Sequence, residues 1–268
     1  MLGYEFQAVN FQQKLVAIAL CSASSILAKA KRFHYGGFSM DIKHRSNCLK
    51  STYAVYDAFI AGTPKACRKH CAWCCTCNVT ATTLEGWLIY EHLRSGRAVS
   101  GAAVDVRSIV APGRRFQPRV TINGMARLCM QGRPLPDELN DPAAGDCPLI
   151  EEDICPIYEV RPFGCRAMLS TAACDQGGEA VMPPLILSVN NIVMQFIEGL
   201  DQPGASGNLL DILKYFSDAD CRRAYEQQKT HSWPQPLVPN QSIPIWMIPP
   251  EHRKALQPLL ESLSKCSR

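Results

Sequence analysis

Two stretches decide how this chain is read: Cys67-Arg68-Lys69-His70-Cys71-Ala72-Trp73-Cys74-Cys75-Thr76-Cys77, and the run from Cys147-Pro148-Leu149 through Cys155-Pro156-Ile157-Tyr158 to Arg161-Pro162-Phe163-Gly164-Cys165-Arg166. The first places five thiols within eleven residues, and the second adds three, two of them followed by Pro. Close spacings let one loop present several sulfurs to a common point, because the intervening chain turns back with its amides directed at them. Buried free cysteines behave as small hydrophobes and have no reason to cluster in this way. Disulfides fit poorly, since adjacent Cys74 and Cys75 make an awkward pair and a reducing cytoplasm does not preserve such bonds. A metal centre is the favoured reading, with Cys67, Cys71, Cys74, Cys75, Cys147, Cys155 and Cys165 as candidate ligands.

Working outward, Asn47 to Ile60 carries helical spacing in Leu49, Tyr53 and Tyr56, and Gly62-Thr63-Pro64 ends it before the first cysteines. Thr82-Thr83-Leu84-Glu85 reads as a capping box, with Thr82 as N-cap and an apolar face in Leu84, Trp87, Leu88 and Leu93. Residues 97–146 are rich in Gly, Pro and Arg, and their β-branched runs, Val104 to Val110 and Val120-Thr121-Ile122, support at most a short hairpin. Behind Pro183-Pro184, the residues Leu185, Val189, Ile192, Val193, Phe196, Ile197 and Leu200 mark one helical face. Asn208 to about Gln228 reads as one further helix and Glu251 to Ser264 as the last, with Pro258 expected to kink or shorten it. Six prolines in 231–250 suggest an extended segment wrapping the surface. The expected fold class is mainly α, an irregular cysteine-rich metal-binding core surrounded by helices. The expected divisions are an extension over 1–46, a cysteine-cluster domain over 47–230, and a Pro-rich segment with a final helix over 231–268.

The bulk numbers bound the function. At 268 residues and 47% hydrophobic, the chain can bury a core without disulfides, so its 14 cysteines ask for a chemical reason. The net charge of +4, from 28 basic and 24 acidic residues, is scattered, so no nucleic-acid partner is implied. The densest basic run, Lys29 to Arg32 with Lys43 and Arg45, has the composition of a solvated surface. No apolar stretch reaches the roughly 20 residues of a membrane span. Leu15 to Ala28 has the outline of a weak signal peptide but lacks the charged lead-in, so a cytoplasmic location is expected, with Met40 as a second possible start. Cys21, Cys48, Cys129, Cys221 and Cys266 stand alone and read as buried free thiols, with Cys174 intermediate.

The cysteine run ending in Cys74-Cys75, the Thr-started and Glu-bearing helix after it, and then Cys147-Pro148-Leu149 and Cys155-x-Ile157-Tyr158-x-x-Arg161-Pro162-x-x-Cys165-Arg166 resemble the YkgJ-type cysteine-cluster family, also described as zinc- or iron-chelating domains. The likeness covers roughly residues 60–175, and Cys67-x-x-x-Cys71 is one residue longer than that family's usual spacing. It implies a metal or iron–sulfur site; one relative, flagellin lysine methylase, carries a similar cluster in a methyl-transfer enzyme. Soft thiolates suit iron–sulfur or zinc alike. The Cys-Pro pairs, and His70 as the one histidine nearby, favour a [4Fe-4S] cluster, with zinc as the alternative. Four thiolates around either centre leave a net charge near about −2, which Arg161 and Arg166 are placed to offset. The expected function is a metal-binding protein with a redox or structural role, the alternative being a cluster-containing SAM-dependent methyltransferase. Whether it is an enzyme is left open, because no phosphate-binding glycine loop or Ser/His/Asp arrangement is recognisable. Cys67-x-x-x-Cys71-x-x-Cys74 and Gly177-Gly178-Glu179 also match pieces of the radical-SAM pattern. That fold wants a strand before the first cysteine and alternating strands and helices after it, where this sequence reads as helix before and few strands after.

Overall fold

A computed structural model describes residues 41–68, 70–95, 115–138, 145–174, 180–229 and 232–266. Val104 to Val110 and Gly177-Gly178-Glu179 lie outside the described residues.

Helix α1 (Ile42–Phe59) starts earlier than the apolar spacing suggests, because the Asp41 carboxylate accepts the His44 amide at 2.7 Å and caps it. Strand β1 (Thr80–Thr82) leads directly into α2 (Thr83–Arg94), where both bonds of the Thr82/Glu85 capping box form. The stretch Val120-Thr121-Ile122 is not a strand. Thr121 accepts the Gly124 amide and caps helix α3 (Ile122–Met130), so a capping hydroxyl overrides local β propensity. A 3-10 turn at Tyr158–Val160 and the short helix α4 (Phe163–Arg166) follow. Helix α5 (Pro184–Leu200) begins on Pro184 as expected and is the central buried element.

After α5 comes β2 (Ala205–Asn208), and the expected single helix from Asn208 divides into α6 (Leu209–Ser217) and α7 (Ala219–Glu226). Asp218 is extended and caps α7 by accepting the amides of Asp220 and Cys221. A small antiparallel sheet runs in the order β1-β2-β3, pairing Thr80 with Asn208 and Thr82 with Ser206, then Ser206 with Val238. Strand β3 (Val238–Pro239) lies at a sheet edge, where proline removes no interior ladder bond. The proline-rich segment does more than wrap the surface, since Ile245, Trp246, Met247 and Ile248 are all buried. Helix α8 (Arg253–Cys266) carries Pro258 inside it without a break.

One apolar cluster joins Leu49, Tyr53 and Tyr56 of α1 to Val189, Ile192 and Phe196 of α5 and to Leu256, Leu259 and Leu263 of α8. A second holds Trp87, Ile89 and Leu93 of α2 with Ile212, Leu213 and Phe216 of α6. Gly86 lets α2 and α6 approach, since a Cβ there would stand 2.1 Å from Ile212 Cγ2. Arg45, expected in a solvated basic run, is instead 2% exposed, facing Asp201 at 3.4 Å and the Tyr225 ring at 5.1 Å. Asp201 also accepts from the Thr83 hydroxyl, the Leu84 amide and the Tyr225 hydroxyl, which ties α1, α2 and α7 to the end of α5. No helix among the described residues is long and apolar enough to cross a membrane.

Candidate metal centre

The two cysteine groups meet through backbone pairing. Thr76 and Asp146 form an antiparallel bridge; the Cys77 amide donates to Gly145 O at 3.1 Å and the Cys147 amide to Cys75 O at 3.0 Å. Gly145 has φ of +97°, a conformation that favours glycine, so the second loop can turn into register with the first. Between Cys147 and Cys155 the chain reverses in a two-residue hairpin. Glu151 and Ile154 exchange both backbone bonds, at 3.1 and 2.8 Å, around Glu152 and Asp153 at φ +48° and +61°. The reversal returns Cys155 towards Cys147.

Cys165 arrives from another direction. Arg161 and Pro162 are extended, and the α4 turn starts with the Phe163 amide donating to Glu85 Oε1 at 2.6 Å. Glu85 also accepts the Tyr53 hydroxyl and the Thr82 amide, so one buried carboxylate fixes the start of α2 and the Cys165 turn together. Gly164 fits tightly, since a Cβ would lie 2.8 Å from Thr80 O. Phe163 belongs to the first apolar cluster, while Cys147, Cys155 and Cys165 pack against the second. Cys165 thus packs against the second cluster two residues after Phe163 enters the first.

The Ser170 amide donates to the Cys67 sulfur at 3.2 Å. The backbone amides of Leu149 and Ile150 beside Cys147, and of Ile157 beside Cys155, oppose the upward shift of those thiols. Burial is the main force pushing the Cys147 thiol up to about 11, with Cys155 and Cys77 adding like charge. Burial likewise raises Cys165, which faces Cys147, Cys155 and Cys74. Cys74 is raised first by its hydrogen bond to Cys75 and then by burial. These thiols stay neutral unless a cation joins them.

The seven expected ligands divide into two sets. Cys165 faces Cys74, Cys147 and Cys155, and Cys147 faces Cys155, with Cys75 beside Cys74. Cys67 and Cys71 are exposed, and the charges Cys67 faces are those of Cys74, Cys174 and Cys71. The arginines differ as well. Arg161 stacks over Tyr158 at 3.8 Å and lowers the pKa of Cys155 and Cys165. Arg166 pairs with Asp57 at 2.8 Å, donates to Glu159 O at 3.2 Å and lies over the Tyr53 ring at 4.5 Å. Of the solitary cysteines, Cys48 is buried as expected, Cys221 and Cys266 are half-buried, and Cys129 is disulfide-bonded instead of free. Among the described residues, no group of three or more His, Cys, Asp or Glu side chains stands in metal-holding geometry.

Sequence reasoning missed Glu85 as the anchor of the Cys165 turn; the capping box is a local signal, and its bond to Phe163 spans 78 residues. No protein-family model, no curated protein and no solved structure matches the chain.

Proposed function

We propose that this protein is a thiolate metal-binding protein, with Cys74, Cys147, Cys155 and Cys165 holding an iron–sulfur cluster in a redox or structural role. The observation that carries the reading is that the Cys165 thiol faces Cys74, Cys147 and Cys155, sulfurs drawn from both cysteine groups. Neighbouring buried thiols do not ionise together without a cation among them, and a metal centre supplies that cation. Soft sulfur donors, half-buried and drawn from two segments locked by the Thr76–Asp146 bridge, suit such a group. The likeness of the cysteine spacing to the YkgJ-type family supports the same reading.

A bound cluster would supply positive charge among buried thiols, stabilising the thiolate form, and Arg161 would offset part of the net negative charge that remains. The test is anaerobic purification with metal and sulfide analysis and an absorption spectrum. Iron and acid-labile sulfide with a broad band near ~400 nm are expected. Zinc with no colour would replace the cluster by a structural zinc site, and absence of any metal would sink the reading.

A further inference from the structure

The Phe163-Gly164 pair that leads into Cys165 also lines a cavity of about 60 Å³, bounded by β1, the start of α3 and the last turns of α5. That is room for a few non-hydrogen atoms. Two carboxylates line it, Glu85 and Glu198, and none of the described lining residues is Lys, Arg or His. Glu85 is satisfied by the Phe163 and Thr82 amides and the Tyr53 and Thr82 hydroxyls. Glu198 differs: at 1% exposure its partners are two neutral amides, Asn123 to Oε2 and Gln241 to Oε1, both at 2.7 Å, and the Thr121 hydroxyl. A carboxylate offers about four acceptor positions, so this one keeps an acceptor in reserve at a cavity wall. Burial pushes its carboxyl up to about 7, with Asp201 adding like charge.

A buried carboxylate with no counter-charge either takes a proton or takes a cation. The remaining lining selects which cation. Met125, Met194 and Phe163 form an apolar, polarizable wall, and the hydroxyls of Thr82, Thr121 and Ser206, which also line the cavity, are hydrogen-bonded to Glu85, the Gly124 amide and Asn240, so the described lining does not assemble the shell of about six oxygens that Mg²⁺ or Ca²⁺ requires. A weakly hydrated organic cation can lie against such walls while its N–H groups reach the carboxylate. We propose that this cavity binds a small alkylammonium ion, with Glu198 as its counter-charge and Ser206 at its rim. The site stands on residues outside the thiol set and does not depend on which metal that set holds.

The experiment is thermal denaturation and calorimetric titration of the full chain at pH 8 with methylammonium chloride, against sodium chloride and tetramethylammonium chloride at equal ionic strength. A saturable rise in Tm with methylammonium alone is expected. Glu198→Gln should weaken binding at least tenfold, and Met125→Phe, which fills the space and leaves the carboxylate in place, should abolish it. Equal responses to sodium, or a methylammonium response retained in both variants, would overturn the proposal. Metal content and absorbance, followed in the same samples, should not change in either variant, so failure here is separable from failure of the cluster reading.

Discussion

At the scale of the residue, the contrast between half-buried Cys74, Cys147, Cys155 and Cys165 and exposed Cys67 and Cys71 makes a direct prediction. Single Cys→Ser changes at 147, 155 or 165 should each lose most of the bound metal, while changes at 67 or 71 should retain it; metal analysis of the purified variants decides. Loss on both sides would show that all the thiols serve one site. Glu198 supports a second test. Its folded pKa, about 7, is above the ordinary carboxylate value, so the stability it lends is complete below the unfolded value and is lost as pH rises through about 7. In sodium buffers the wild type should lose roughly 3 kcal/mol between pH 4 and pH 8 that Glu198→Gln does not. Urea denaturation across that range measures the difference. Parallel curves for the two proteins would refute it.

At the scale of the element, the two structures that aim cysteines are a hairpin and a capped turn. The hairpin at Glu152-Asp153 holds two non-glycine residues at positive φ, where Asn-Gly is preferred. Replacing the pair by Asn-Gly should stabilise the protein by about 0.5–1 kcal/mol without altering metal content. A loss of stability would mean that the acidic side chains themselves matter. Glu85→Ala removes the acceptor of the Phe163 and Thr82 amides and of the Tyr53 hydroxyl. It should cost about 3–5 kcal/mol, since each buried donor left unpaired carries its own penalty. Metal occupancy should fall with it, because the Cys165 turn is released. Unchanged occupancy in a folded variant would show that the turn is held by packing alone. Several elements were legible because their signals are local. The capping box at Thr82 and the proline start at Pro184 lie within a few residues of what they control. The break at Asp218 was hidden because the apolar spacing continues across it.

At the scale of the whole molecule, the proposed centre would close a loop of about 70 residues, from Cys74 to Cys147, already joined by one backbone bridge. Removing the metal with a chelator under reducing conditions should lower stability by about 4 kcal/mol, the order expected for opening a loop of that length, and calorimetry of the loaded and stripped protein reads it. An unchanged Tm would assign the metal to a site that staples nothing. By itself the sequence determined that cysteines gather in two groups and that helices begin at Thr83 and Pro184; these follow from spacing, capping and periodicity within single segments. Only the tertiary structure decided that Thr76 pairs with Asp146, that Ala205-Ser206-Gly207-Asn208 is the middle strand of a sheet, that Arg45 is buried against Asp201, and that Cys67 is exposed while Cys165 packs against the second apolar cluster. The reason is physical. Pairing partners, burial and the direction of a thiol are set by residues far away in the chain, whose approach depends on how the two apolar clusters pack, and no local pattern encodes that approach.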